Sequence, residues 1–177
     1  MEIILVRHTS VDVEPGTCYG WSDVNVAATF ESEAQATLER IKQYKPFDAV
    51  FSSPLKRATM LAAYCGYNEP IIDNRLKEMN MGEWEMRRYD DITDPVIEQW
   101  YKDYFNTRLP KGESFMMLYD RIADFLTWLK EQNRYKKVAV FAHAGPLMCA
   151  AIYSGLYTKE EALAHLPAYG RHISIQI

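Results

Sequence analysis

The run Ile3-Ile4-Leu5-Val6 constrains this chain most, because it carries no polar alternation. A strand with one wet face alternates, so a continuous apolar run marks a strand covered on both faces, as in a parallel sheet flanked by helices. Ala49-Val50-Phe51 and Val138-Ala139-Val140-Phe141 repeat the feature; Pro70 to Asp73 reads as a further short strand, and Ile173 to Ile177 alternates like an edge strand. Between these runs, apolar residues recur at helical spacing. Phe30, Ala34, Leu38 and Ile41 predict a helix over about 29–44. Met60, Leu61 and Tyr64 predict one from Ser53 (N-cap) and Pro54 (first position) to Gly66, and Phe115, Leu118, Ile122, Phe125, Leu126 and Leu129 predict the longest, capped by Ser114. This alternation predicts an α/β fold, a three-layer α/β/α sandwich with a mostly parallel sheet and helices on both faces. With 177 residues, 48% of them hydrophobic, the chain suits a single domain over 1–177, with a helical, lid-like insertion at about 85–110.

Twenty basic residues against twenty-four acidic ones give a formal charge of -4, which provides no basic footprint for nucleic acid or an anionic membrane surface. Cys18, Cys65 and Cys149 are odd in number and widely spaced, and so suggest neither a disulfide framework nor a zinc site. The apolar start is too short for the core of a signal peptide, and no run approaches the about 18 apolar residues of a membrane span. A soluble, cytoplasmic protein is expected. Its oligomeric state is not legible.

Ligands of open α/β sheets bind beyond the carboxyl ends of the strands, and Arg7-His8 follows the first apolar run there. Arg57 falls in the first turn of the helix after the second run, where a cation opposes the helix dipole unless an anion sits between them. His143 follows the last buried run and precedes Ala144, Gly145 and a helix-starting Pro146, an arrangement that would leave backbone donors pointing at the same crevice. Among Glu78, Glu83 and Glu85, the latter two read as a solvated charge run. Glu78, between Leu76, Met79 and Met81, reads as partly buried, the setting that suits a carboxyl to general-acid work. Asp90, Asp91 and Asp94 surround a helix start and read as capping groups rather than a metal site. Tyr19, Trp21, Trp84, Trp100, Tyr101 and Tyr104 could wall a site for a flat base or serve simply as lid and core aromatics.

Two arginines, two histidines and a carboxyl suffice for phosphoryl transfer: imidazole attacks phosphorus, guanidinium forks bind its oxygens and the carboxyl protonates the leaving group. The marks of other phosphate chemistries are missing. There is no G-x-x-x-x-G-K-[ST] loop, and the positions six beyond each cysteine hold Val24, Ile71 and Gly155 rather than arginine.

Leu5-Val6-Arg7-His8, Ser52-Ser53-Pro54 with Arg57, Glu78 with Gly82 and Trp84, Gly112-Glu113-Ser114 and Ala142-His143-Ala144-Gly145, in that order, resemble the histidine phosphatase superfamily. The resemblance implies the phosphoglycerate mutase-like fold and a metal-independent, cofactor-free phosphomonoesterase acting on a small-molecule phosphoester. In it His8 becomes a phosphohistidine, Arg7, Arg57 and His143 hold the phosphate, and Glu78 donates the proton. Further candidates for binding the phosphoester are Thr9, Tyr19, Gly20, Trp21 and Ala144. Within the superfamily the loop from Arg7 to Asp12 and from Cys18 to Asp23 looks most like that of α-ribazole phosphatases, which act on a benzimidazole riboside 5'-phosphate in cobalamin lower-ligand assembly. A phosphatase of another small phosphoester, a phosphoglycerate-type mutase and a non-catalytic phospholigand-binding module are the alternatives. Two departures stand out: Thr9-Ser10 replaces the family's usual glycine after the histidine, and Met86 replaces the glycine of Trp-Glu-Gly, which leaves the adjoining loop's shape open.

Overall fold

The computed structural model describes all residues 1–177. Its elements are β1 (Glu2–Arg7), α1 (Phe30–Ile41), β2 (Ala49–Ser52), α2 (Lys56–Tyr64), β3 (Ile71–Ile72), α3 (Val96–Lys102), α4 (Phe115–Glu131), β4 (Lys137–Ala142), α5 (Ala144–Tyr153), α6 (Lys159–Ala164) and β5 (His172–Gln176). One five-stranded sheet runs β3-β2-β4-β1-β5. β1, β2, β3 and β4 pair in parallel, and β5 lies antiparallel on β1 as the alternating edge strand.

The uninterrupted runs have the expected cause. Ile3, Leu5, Val138 and Val140 enter one apolar cluster with Phe115, Leu118, Phe125 and Leu147 of α4 and α5. Ile4, Val6, Ala139 and Phe141, the intervening residues, enter a second with Ala34, Ile41, Ala58 and Leu61 of α1 and α2. Since successive side chains point to opposite faces, both faces are covered, giving the three-layer sandwich. β1 is followed by a helix on one face and its neighbour β4 by a helix on the other. The crevice between their carboxyl ends is thus the switch point at which such sheets bind ligands. His8 N–H donates to Ala142 O at 3.1 Å and Ser53 N–H to Phe141 O at 2.9 Å, which carries the ladder just past the strand ends and fixes the residues there.

Two expected helix starts differ from the structure. α2 begins at Lys56 with Leu55 as its N-cap, not at Pro54, because the Ser53 hydroxyl is engaged by His143 as well as by Leu55 N–H. Pro146 is the third residue of α5 rather than the first, with His143 as N-cap. The Ser114 cap is as expected, accepting from Met117 N–H. In the 85–110 segment, Asp94 accepts from Val96 N–H at the start of α3, which ends at Lys102, so Tyr104 and Phe105 follow it in a turn.

Met86 takes φ +61° and donates its N–H to Cys18 O at 2.8 Å. The loop therefore keeps the left-handed turn that a glycine would adopt freely, with a side chain that opposes it. Met86 is more than half exposed and gives little packing in return. Met86→Gly is expected to raise unfolding stability by up to about 1 kcal/mol, the relief of left-handed strain less the entropy of glycine, read as a higher urea midpoint. A lower midpoint would contradict the strain.

Candidate active site

The parallel sheet delivers His8, Ser53 and His143 to one edge from β1, β2 and β4, and α2 adds Arg57. The rings of His8 and His143 lie 5.1 Å apart. His8 is 2% exposed, and His143 and Arg57 are fully buried.

Hydrogen-bond partners fix both imidazole tautomers. His8 Nδ1 lies 2.7 Å from Thr9 O. A carbonyl only accepts, so Nδ1 carries the proton and Nε2 keeps its lone pair. Burial first, then the charge of Arg57 and of Arg7, lowers the His8 pKa from 6.5 to about 3 against the opposing Thr9 bond. The ring is neutral and nucleophilic at working pH. Arg57 Nε donates to His143 Nδ1 at 3.2 Å, so His143 Nε2 bears the proton and donates to Ser53 Oγ at 2.8 Å. Burial and the same arginine hold His143 well below its ordinary pKa. Both ring nitrogens of His143, expected to face phosphate, are engaged by protein groups here, Nδ1 by Arg57 and Nε2 by Ser53.

Arg57 also donates to Ser22 O at 2.8 Å and to Gly20 O at 2.7 Å. Arg7 Nη1 donates to Pro167 O at 2.6 Å, while its buried Nε has no partner. Neither guanidinium takes part in any ion pair of the molecule. Two guanidiniums thus lie beside His8 without an ion-pair partner, an arrangement suited to an anion. Thr9 Oγ1, buried beside His8, also lacks a partner.

Glu78 is half-buried. Its Oε1 accepts from Met79 N–H at 2.9 Å, and its two oxygens from Gly145 N–H at 3.1 and 3.2 Å. A Cβ at position 145 would lie 2.2 Å from Oε1, so glycine lets the amino end of α5 approach the carboxyl. The Glu78 carbonyl is held by Trp21 Nε1 and Arg121 Nη2, and Arg121 pairs with Glu113 through its Nε at 2.9 Å.

Glu78, Ala144 and Gly145 open onto a cleft of about 220 Å³ whose other walls are Thr17, Tyr19, Met79, Met81, Tyr89, Trp100, Tyr104, Met148 and Leu166. Of the six aromatics weighed from the sequence, Tyr19, Trp100 and Tyr104 reach it. Trp84 is fully buried beneath it, Tyr101 is 65% exposed, and Trp21 turns outward under Lys77.

The structure corrects the expectation for Glu85. Far from being solvated, it is half-buried and accepts from the N–H groups of Gly20, Trp21, Ser22 and Met81 and from the Ser22 hydroxyl. Burial pushes its pKa up, but the Ser22 hydroxyl and the backbone donors outweigh that and hold it below the ordinary value. It ties down the loop whose Gly20 and Ser22 carbonyls grip Arg57. Gly20 is required there, since a Cβ would fall 1.9 Å from Met79 O. Glu83 is exposed and pairs with Lys111, as expected of a surface charge. Asp90 approaches only Arg88, and no group of His, Cys, Asp and Glu is arranged to hold a metal ion. Sequence reasoning also missed Ser53 as the partner of His143 and Tyr169, whose ring lies 5.5 Å from His8 and 4.0 Å from the Arg7 guanidinium.

The lowered His8 pKa has a stability consequence. The unfolded chain binds a proton at this ring below pH 6.5 while the folded chain does not until about pH 3, so stability is lost as pH falls through that window. His8 alone should cost roughly 2 kcal/mol between pH 7 and pH 5. In urea titrations at both pH values, His8→Gln should show a shallower loss; identical losses would contradict a neutral buried imidazole.

Residues 3–169 match the family described as the histidine phosphatase superfamily (branch 1). Phosphoglycerate mutase-like protein 4 of Arabidopsis thaliana is 30% identical over 81% of this chain and 66% of its own length. Adenosylcobalamin/alpha-ribazole phosphatase of Salmonella typhimurium is 28% identical over 83% of this chain and 76% of its own. The crystal structure of the alpha-ribazole phosphatase from Shigella flexneri superposes with a TM-score of 0.88 at 25% identity, over 100% of this chain and 91% of that one. The sheet order, the strand-end histidines and these likenesses agree: the chain is an enzyme that belongs to the histidine phosphatase superfamily.

Proposed function

We propose that this protein is a metal-independent phosphomonoesterase working through a phosphohistidine at His8, with α-ribazole 5'-phosphate as its substrate class. The observation that carries the reading is the neutral His8, its Nε2 lone pair free, beside Arg7 and Arg57, neither of which has an ion-pair partner. In the first step Nε2 attacks phosphorus, the ester P–O bond breaks, and its electron pair leaves on the alcohol oxygen, which takes the proton of the Glu78 carboxyl. The Nδ1–H bond to Thr9 O steadies the positive charge that develops on the ring, and Arg7 and Arg57 bind the equatorial oxygens. Water then attacks phosphorus, gives its proton to Glu78 and releases His8 as neutral imidazole.

The leaving-group side supports the narrower substrate class. No cationic side chain lines the cleft, Glu78 is its one carboxyl, and Tyr89, Trp100 and Tyr104 give it aromatic walls. That surface suits a flat, uncharged group such as a benzimidazole riboside better than the carboxylate of phosphoglycerate, for which a mutase would need a cation. We read the chain as one domain, with 85–110 supplying the cover over this cleft. No helix is long and apolar enough to cross a membrane, and the three cysteines are free and buried, in keeping with a cytoplasmic setting.

Initial rates on α-ribazole 5'-phosphate, 3-phosphoglycerate and p-nitrophenyl phosphate test this. Hydrolysis should be fastest on α-ribazole phosphate, unaffected by EDTA, and His8→Ala should lower it about 10³-fold or more. Equal, poor rates on all three, or isomerisation of phosphoglycerate, would overturn the substrate assignment. Glu78→Gln should slow alkyl esters by about 10²- to 10⁴-fold but p-nitrophenyl phosphate much less, since nitrophenolate leaves without a proton. Equal loss on both would remove Glu78 as the acid.

A further inference from the structure

Arg7 and Arg57 are held by two different segments in the same manner. Arg57 lies with its guanidinium carbon 5.3 Å from the ring centre of Tyr19 and donates to the carbonyl of the next residue, Gly20. Arg7 lies 4.0 Å over the ring of Tyr169 and donates to Pro167 O, two residues before it. Each segment thus cradles one arginine with a ring and a backbone carbonyl. The segments are remote in sequence, yet the Tyr19 and Tyr169 hydroxyls meet at 2.6 Å. Burial, with this bond, holds the Tyr19 phenol above its ordinary pKa, so it remains protonated.

We propose that Tyr19 and Tyr169 are positioning residues that join the two arginine cradles into one frame, presetting both guanidiniums for a phosphoryl group. An arginine has many rotamers to lose, and two must be fixed to grip three equatorial oxygens. Each ring limits the space its guanidinium can sweep, and the hydroxyl bond ties one ring to the other. The entropy is given up on folding, before substrate arrives. Neither tyrosine takes part in a bond that changes in the reaction; they act through the arginines. The inference rests on the reading that Arg7 and Arg57 hold phosphate.

The test is a double-mutant cycle on Tyr19→Phe and Tyr169→Phe, read as the competitive inhibition constant of inorganic phosphate, kcat and KM on p-nitrophenyl phosphate, and the urea midpoint. Each single change should weaken phosphate binding by about 3- to 10-fold and raise KM to a similar degree, with kcat within about twofold of wild type. The double variant should be no worse than either single one, because both remove the same bond. Tyr169→Leu, which also removes the ring beneath Arg7, should weaken phosphate further. Unchanged phosphate binding in both Phe variants would overturn the frame, as would losses that multiply in the double variant, or a fall in urea midpoint with no change in binding. Arg57→Ala separates the two levels. If it binds phosphate like wild type, the phosphate-site reading fails and the frame with it; if it is weakened while the Phe variants are not, the frame alone fails.

Discussion

A guanidinium taken out of water without a carboxylate beside it must find its compensation in dipoles, and Arg57 takes three: the carbonyls of Gly20 and Ser22 and the Nδ1 lone pair of His143. Much of the site follows from meeting that demand. His143 must be neutral with its proton on Nε2, which recruits Ser53 as the acceptor. The loop bearing Gly20 and Ser22 must hold its carbonyls inward, which Glu85 achieves by collecting the N–H groups of the same loop. The same charge helps keep His8 unprotonated. Glu78, Asp23 and Glu85 act on Arg57 only through space, so a charge hydrogen-bonded to neutral groups keeps more of its attraction for an anion than one held in a salt bridge.

On the proposed mechanism the site separates two tasks. The phosphoryl end is polar, positive and buried, built on strand ends that the sheet cannot easily move. The leaving-group end is a cleft with methionine and aromatic walls, built from residues 17–19 and 78–81, the 85–110 segment and α5. Glu78 stands where they meet. Trp21 and Arg121 hold its carbonyl while Gly145 holds its carboxyl, so the group that must reach the leaving oxygen is fixed at both ends.

What was legible in the sequence was what local pattern encodes. Burial on both faces prints itself as the uninterrupted run Ile3 to Val6 and again as Val138 to Phe141, and the parallel sheet then places Arg7-His8 and His143 together without further information. The groups that escaped notice are defined by partners far along the chain. Glu85 looked like a surface charge because it falls in a short run of carboxylates with Glu78 and Glu83, whereas its donors come chiefly from residues 20–22. Ser53 has the form of a helix cap, yet its hydroxyl is claimed by His143 across the sheet edge. Tyr169 sits in a tail with no periodicity and reaches Arg7 and Tyr19 only once β5 has paired with β1. Met86 shows the converse, in that a residue other than glycine takes the left-handed turn, held by the Met86 N–H bond to Cys18 O and the bonds to Glu85.

The central claim is that His8 carries the phosphoryl group between substrate and water. Rapid acid-free quenching of the enzyme during turnover of a ³²P-labelled phosphoester, followed by alkaline digestion and peptide mapping, tests it most directly. The account predicts a labelled peptide containing His8 that survives alkali and loses its label in acid, formed at a rate no slower than turnover and absent from His8→Ala. Turnover with no label on His8, or label on another residue at a competent rate, would contradict it.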